Sequence, residues 1–435
     1  MALSGTRRQS ERPVYLVDGA RTPFLKALSG PGFFSGLDLT IAAGRALLQR
    51  QPFAATDIEQ VIMGCVMPGI EESNIARLAA LRLGCGDATP AFTVQRNCAS
   101  GMQAADCALR AIQRGDNDLI LVGGVEAMSQ APLHLPREMV VWLGQWNSGR
   151  TLVDRLRQLG RLRPQFFRPV VALLRGLTDP VVGLSMGQTA EIIARRFSIT
   201  RVQMDEFSAA SHHRALTAQQ EGHFSEIVPL YDDAGNFFAQ DTGVRSDSTV
   251  ERLARLRPAF DREFGTVTAG NSSQISDGAA MLVMASEAAL SRWNLTPLAR
   301  LVDVQWGALD PREMGLGPVF ATTTLLTRQK LALRNIDYWE INEAFAAQVL
   351  ACLAAWRDPN YCKQQFGSDA ITGDIAPERL NVDGGAIAIG HPVGATSARL
   401  LLHLAHVLQR QQGKRGVATL CIGGGQGGAA LLVRD

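Results

Sequence analysis

The chain has no closely paired cysteines, no long apolar run and no excess of either charge, and each lack removes a class of protein. Its seven cysteines (Cys65, Cys85, Cys98, Cys107, Cys352, Cys362 and Cys421) form an odd set without a C-x-x-C spacing. This argues against a disulfide framework or a zinc ribbon and favours a reducing, cytoplasmic setting. No stretch approaches the roughly 18 uninterrupted apolar residues of a membrane span. Basic and acidic residues nearly cancel, at net +2, so the whole-chain charge points neither to nucleic acid nor to a strongly anionic partner. The histidines are scattered, and the adjacent His212 and His213 point apart on a helix, so no metal site is expected. The N-terminal MALSGTRRQSERP lacks the apolar core of a signal peptide and reads as a frayed terminus rather than a presequence.

What is present is a chain of 435 residues, 46% hydrophobic, long enough for a large core in more than one unit. Apolar, β-branched runs alternate with amphipathic helical patterns, the signature of an α/β protein. The strand candidates are VYLVDG (14–19), VIMGCV (61–66), FTVQ (92–95), LILVGG (119–124), MLVMAS (281–286), ARLVDV (299–304), YWEIN (338–342) and GVATLCI (416–422). Three stretches echo one another in the same order. VYLVDGARTP resembles RLVDVQWGALDP, FTVQRNCASGMQAADCALRAIQRG resembles LNVDGGAIAIGHPVGATSARLLLHLAHVLQ, and LILVGGVEAM resembles ATLCIGGGQGG. The echoes divide the chain into two equivalent halves, 12–295 and 296–435. The first half is longer by a segment from about 129 to 265 that breaks the alternation and reads as an inserted loop domain.

Three side chains stand where an extended apolar segment gives way to small residues: Cys98, His391 and Cys421. Cys98 precedes Ala99, Ser100 and Gly101 at the start of a helical pattern. There the helix dipole is expected to lower the thiol pKa, and free backbone N–H groups can hold an oxyanion. His391 lies between Gly390 and Pro392, so it is expected to end a turn and begin a helix with proline at its first position. It is the natural base for a thiol proton. Cys421 ends a strand and is followed by a glycine run that a core strand would not be expected to tolerate. Two thiols and one base admit two readings: a nucleophile with a proton-transfer partner, or a redox pair. The glycines favour acyl transfer to or from a bulky ligand. Asn342, at the top of the strand YWEI, offers an amide to an oxyanion or a water, or else caps a helix. The polar loop TVTAGNSSQISDGAA (266–280) suits an extended ligand.

Together, NCASGMQA, GGVEAMSQAP, MGQTAE, LRPAFDREFGTVTAGNSSQISDGAA, NEAFAAQ, GGAIAIGHPVGAT and CIGGGQGGA resemble, in order and over nearly the whole chain, the thiolase family of acetyl-CoA acyltransferases. The resemblance implies the thiolase fold, five α/β/α/β/α layers built from two similar halves with a loop domain inserted in the first. It also implies roles. Cys98 takes the acyl group, His391 activates it, and Cys421 moves a proton on or off the α-carbon of acetyl-CoA. Asn342 orders a water that forms one oxyanion hole with His391, and the backbone N–H groups of Cys98 and Gly423 form a second. Ser273 contacts pantetheine or CoA, and Met186, Met314 and Phe345 line the acyl end. Coenzyme A and its thioesters are the substrates, and no permanently bound cofactor is expected. Ser185 departs from the histidine common before M-G-x-T-A, and Ser397 from a commoner glycine on a helix flank where it is expected to affect packing only.

The insert RTLVDRLRQLGRLRPQFFRPVVALLRG and the segment WRDPNYCKQQFGSDAITGDIAPERLNV resemble β subunits of trifunctional fatty-acid oxidation complexes, whereas NEAF and CIGGG are the pattern of ordinary thiolases. The resemblance implies thiolytic cleavage of 3-ketoacyl-CoA, with condensation of acetyl-CoA as the alternative direction and a non-catalytic acyl-CoA-binding subunit as a third reading. It further implies a homodimer or dimer of dimers, with an α subunit carrying hydratase and dehydrogenase activities as a candidate partner. Between 150 and 176 there are seven arginines against one aspartate, suited to CoA phosphates, an acidic partner or a membrane surface, or simply to a solvated helical hairpin.

Overall fold

The computed structural model describes residues 12–27, 32–369 and 371–435; the N-terminal reading above concerns residues that, up to Glu11, lie outside them. The first half supplies strands β1 (Val14–Arg21), β2 (Gln60–Gly64), β3 (Ala91–Val94), β4 (Leu119–Ala127) and β5 (Ser276–Ser286). The second supplies β6 (Ala299–Ala308), β7 (Tyr338–Ile341), β8 (Arg415–Ile422) and β9 (Gln426–Val433). The principal helices are α1 (Gly36–Gln49), α2 (Ile75–Arg82), α3 (Ser100–Arg114), α4 (Met186–Arg196), α5 (Arg201–Gln220), α6 (Gly317–Gln329), α7 (Ala346–Arg357) and α8 (Val393–Arg410).

Read outward from the middle, the first half orders its strands β1-β5-β4-β2-β3 and the second β6-β9-β8-β7. In each half two antiparallel pairings are followed by parallel ones. The position of β3 has only a vestige in the second half, a single parallel bridge from Trp339 to Leu380. The halves join edge to edge where Tyr15 and Leu16 of β1 pair with Arg300 and Ala299 of β6.

Side chains alternate across each strand, and the core follows that alternation. Ile120 and Val122 of β4, with Leu420 of β8, face a central layer made by Met102 and Leu109 of α3 and Leu401 and Leu404 of α8. Leu119 and Leu121 face the outer layer of α1 and α2. On the far side, Trp339 and Val417 pack under Val319 of α6 and Val349 and Trp356 of α7. The result is the five-layered α/β/α/β/α arrangement that the resemblance implies. The long segment between β4 and β5 is tied to both halves by buried charge. Arg21 of β1 pairs with Glu226 at 3.1 Å and Asp241 at 2.7 Å, and Glu226 also meets His403 of α8 at 3.2 Å.

Local signals set the helix boundaries. Ser35 and Asp38 form a capping box before α1, and Thr200 and Gln203 do the same before α5. Pro392 is the N-cap of α8 rather than its first helical residue, a shift of one position. The glycine run also behaves differently from expectation. Gly423 to Gly425 form a tight turn, with φ of 93° at Gly424 and 78° at Gly425, but Gly427 and Gly428 lie inside the core strand β9. They are tolerated because other segments press on that strand: a methyl at Gly427 would stand 1.9 Å from the carbonyl oxygen of Gly317 at the start of α6, and one at Gly428 2.6 Å from the Trp306 ring of β6. Gly427→Ala should therefore destabilise the protein by about 3 kcal/mol in urea denaturation. Gly144→Ala, at a helical site with no atom within 4 Å of the added carbon, should be neutral or stabilising.

Candidate active site

After β3 the chain turns sharply through Asn97, whose φ of 44° is left-handed. Ser100 secures the turn: its hydroxyl accepts from the Arg96 amide at 2.9 Å and donates to the Asn97 carbonyl at 2.7 Å. Asn97 Nδ2 in turn donates to the Gly423 carbonyl at 2.8 Å, locking the Cys98 turn to the glycine hairpin of the other half. Cys98 is thus partly exposed at the head of α3, with its own N–H and that of Gly423 directed at the sulfur. Burial among protein atoms pushes the thiol up to about 11, against the pull of those two amides, and the Glu126 carboxylate adds to the rise. The lowered pKa expected from the helix start is therefore not found, because desolvation outweighs the two amide N–H groups that favour the thiolate.

His391 is buried at the base of the same site. Thr396 Oγ1 donates to the Pro392 carbonyl at 2.9 Å, so it accepts from His391 Nδ1 at 2.7 Å. This order of donors places the proton on Nδ1 and leaves the Nε2 lone pair facing Asn342 Nδ2 at 3.4 Å. Burial, with Arg399 adding to it, lowers the imidazole pKa to about 3, so His391 rests as a neutral base. Asn342 caps no helix: α7 begins at Ala346 after Phe345. Its side chain is fully buried and its Oδ1 has no partner among the described residues.

Cys421, at the end of β8, packs in one apolar cluster with Met186, Met314 and Phe345. Burial raises its thiol well above the ordinary value, and the neighbouring Cys98 adds to the effect. Gly423 lies beside Met186 and Asn97. Above this centre opens a cavity of about 720 Å³. His391, Met186, Phe345 and Ser273 line it, whereas Cys98, Cys421, Asn342, Met314 and Gly423 are not among its lining residues; Cys421 and Met314 pack against it through the cluster they share with Met186 and Phe345. Its exposed end carries Lys26 and Arg245. Neither makes an ion pair among the described residues, and burial together with Arg245 lowers the Lys26 pKa. Leu174 and Leu177 supply apolar wall from the insertion.

Several contributors have no motif of their own. Thr396 fixes the tautomer of His391. Gln274 accepts the His391 N–H on its backbone carbonyl at 3.1 Å, and its side-chain amide donates to the Ile387 carbonyl at 3.1 Å. Glu343 gathers the Ser211 hydroxyl at 2.6 Å, the Asn381 amide at 2.8 Å and the Ile387 N–H at 3.2 Å. Ser397 does more than pack: its hydroxyl accepts the Met102 N–H at 2.8 Å and so joins α8 to the first turn of α3. Ser185 caps α4 through a box with Gln188 and also lines the cavity. A carboxylate inside an apolar strand end, as in INEAF, was the sequence signal available for Glu343.

The sequence matches the family description "Thiolase, N-terminal domain" over residues 14–288 and "Thiolase, C-terminal domain" over 295–434. It is 37% identical over 425 residues to the mitochondrial trifunctional enzyme subunit beta of Bos taurus, covering 97% of this chain and 88% of that one. It is 37% identical over 430 residues to the acetyl-CoA acetyltransferase of Thiocystis violacea, covering 97% and 99%. The crystal structure of human mitochondrial 3-ketoacyl-CoA thiolase in complex with CoA superimposes with a TM-score of 0.82 at 34% identity, covering 98% of each chain.

The raised thiol has a direct consequence for labelling. With iodoacetamide and peptide mass spectrometry, modification of Cys98 should keep accelerating up to pH 10, without the plateau that a thiol titrating near about 8.5 would give. A plateau by pH 8 would contradict the desolvated site.

Proposed function

The chain belongs to the thiolase family, and on that premise we propose that it cleaves 3-ketoacyl-CoA with coenzyme A, in fatty-acid β-oxidation, through an acyl-Cys98 intermediate. The observation that carries this reading is the meeting of the Cys98 thiol with the paired N–H groups of Cys98 and Gly423 and with Cys421, next to the first turn of the helix that follows a neutral His391 whose Nε2 faces Asn342. As Cys98 attacks the 3-keto carbon, His391 takes the thiol proton. The C2–C3 bond breaks and its electron pair forms the enolate of acetyl-CoA, whose oxygen is held by Asn342, through a water, and by His391. Cys421 delivers a proton to the α-carbon, and acetyl-CoA leaves. A second CoA thiol then gives its proton to the Cys421 thiolate and attacks the acyl-Cys98 carbonyl, and as the shortened acyl-CoA leaves, His391 returns its proton to the Cys98 sulfur. The two amides at Cys98 hold the tetrahedral oxyanion.

The cavity supports acyl-CoA as substrate: Lys26 and Arg245 present unpaired positive charge to phosphates, and the leucine wall suits pantetheine and an acyl chain. Thiolysis measured across 3-ketoacyl chain lengths should show turnover of medium or long chains, with mass spectrometry detecting acyl-Cys98. Strict preference for acetoacetyl-CoA would overturn the degradative reading in favour of condensation. Full turnover by Cys98→Ala would make the chain a binding subunit instead.

We read the assembly as a homodimer or dimer of dimers, with an α subunit as further partner by analogy with the trifunctional relative, and we read its setting as cytoplasmic from the unpaired cysteines. The basic insert adds an observation of its own. In the helix Leu152–Leu159, Leu152, Val153 and Leu156 are exposed beside Arg155 and Arg157, a pattern suited to an anionic membrane surface. The protein should co-sediment with phosphatidylserine-containing vesicles at low salt and not with phosphatidylcholine vesicles. Replacing Leu152, Val153 and Leu156 by serine should abolish the binding, and an unchanged interaction would exclude this surface.

A further inference from the structure

Beneath Cys98 and His391, four segments meet backbone to backbone. A methyl at Gly64 of β2 would stand 2.3 Å from the Ser100 carbonyl carbon, and one at Gly101 of α3 2.8 Å from the Ala398 nitrogen of α8. A methyl at Gly124 of β4 would stand 2.0 Å from the Gly394 carbonyl oxygen, and one at Gly394 2.2 Å from that of Val125. Into this junction β4 projects Glu126, which is fully buried. Its Oε1 accepts the Met67 N–H at 2.8 Å and lies 3.8 Å from Cys65 Sγ, while its Oε2 accepts the Val66 N–H at 3.0 Å and the Gly394 N–H at 3.1 Å. Every backbone contact is a donor, which an ionised, acceptor-only carboxylate satisfies. Among the described residues no Lys, Arg or His forms an ion pair with it. The compensating positive charge comes from amides and from the start of α8.

A buried anion without a cationic partner is costly to keep, and this one sits where the two reactive segments touch. Burial raises its pKa to about 7 while the amides oppose the rise, and its charge acts on Cys98. We propose that Glu126 is a positioning residue for the reaction at Cys98: it fixes the loop 65–67 and the first turn of α8 against β4, and when ionised it disfavours a thiolate at Cys98 in the resting enzyme. The proton then leaves Cys98 only as His391 takes it during attack, and the idle sulfur is shielded from electrophiles. The inference rests on Cys98 being the nucleophile. The titratable and charged groups around Glu126 are Cys65 after β2, which also feels Glu72, and Cys98 before α3, whose charge Cys421 of β8 feels from the other side.

Two substitutions separate charge from geometry. Glu126→Gln keeps a carbonyl for the Val66 and Gly394 amides but removes the charge; Glu126→Asp keeps the charge and shortens the reach. The pH dependence of Cys98 alkylation, read by peptide mass spectrometry without substrate, should move to lower pH in Glu126→Gln. About three- to tenfold faster labelling at pH 8 is expected, the equivalent of that much more thiolate. With a 3-ketoacyl-CoA, kcat should fall about tenfold or more while KM stays within about threefold. Glu126→Asp should retain the wild-type alkylation profile with a reduced kcat. The proposal is overturned if Glu126→Gln labels like wild type, or if Glu126→Asp is displaced to lower pH. The second criterion stands even if Glu126→Gln does not fold. Because the alkylation arm needs no thiolase turnover, a failed chain-length assay would count against the proposed reaction and leave this result readable.

Discussion

The active centre depends on the packing of two helix starts and a strand closer than side chains allow. Cys98 precedes α3 and His391 precedes α8, and these helices form the middle layer between the two halves of the sheet. They approach each other at Gly101 and approach β4 at Gly124 and Gly394, where a single methyl would overlap backbone atoms. Close-packed interiors relax only partly around such overlaps. The glycines therefore set the separation of nucleophile and base as directly as the reactive residues set the chemistry. Thr396, Ser397 and Glu126 occupy the polar positions that this packing leaves, and each answers a backbone or imidazole group that would otherwise be unsatisfied.

The same packing fixes the electrostatics. Excluding water raises the Cys98 and Cys421 thiols and lowers the His391 imidazole, so the resting groups are all uncharged. Charge then develops only during reaction, in reach of the Cys98 and Gly423 amides on one side and of Asn342 on the other. Donors held in place before charge appears need no reorganisation when it does. A helix dipole that would ionise the thiol in an exposed site has the smaller effect here.

Much of this was legible in the residues. The echo between VYLVDG and RLVDV corresponds to β1 and β6, and that between LILVGG and ATLC to β4 and β8, strands in matching places of the two half-sheets. Cys98, His391, Cys421, Asn342 and Gly423 were visible because reactive or small residues interrupt apolar runs. What was not legible depends on contacts distant in sequence. Strand β9 was hidden because Gly427 and Gly428 read as a breaker until α6 is seen lying against the first and the Trp306 ring against the second. The direction of the Cys98 shift was hidden because sequence shows a helix start but not the atoms that enclose it. Glu126 looked ordinary, and Ser397 seemed to matter for packing only, because their partners lie in other segments, as with Met102, 295 positions from Ser397.

The junction of β1 with β6 has a mechanical meaning. Sheet hydrogen bonding runs on from one half into the other, and the insertion is bolted to both by Arg21, Glu226 and His403. A molecule joined in this way has no hinge between its halves, so it cannot exclude water by closing one upon the other. Its dryness is built into the resting shape, and any gating of entry falls to the short helices and side chains at the cavity rim. Stiffening those peripheral elements should change how fast ligands come and go without altering the chemistry beneath.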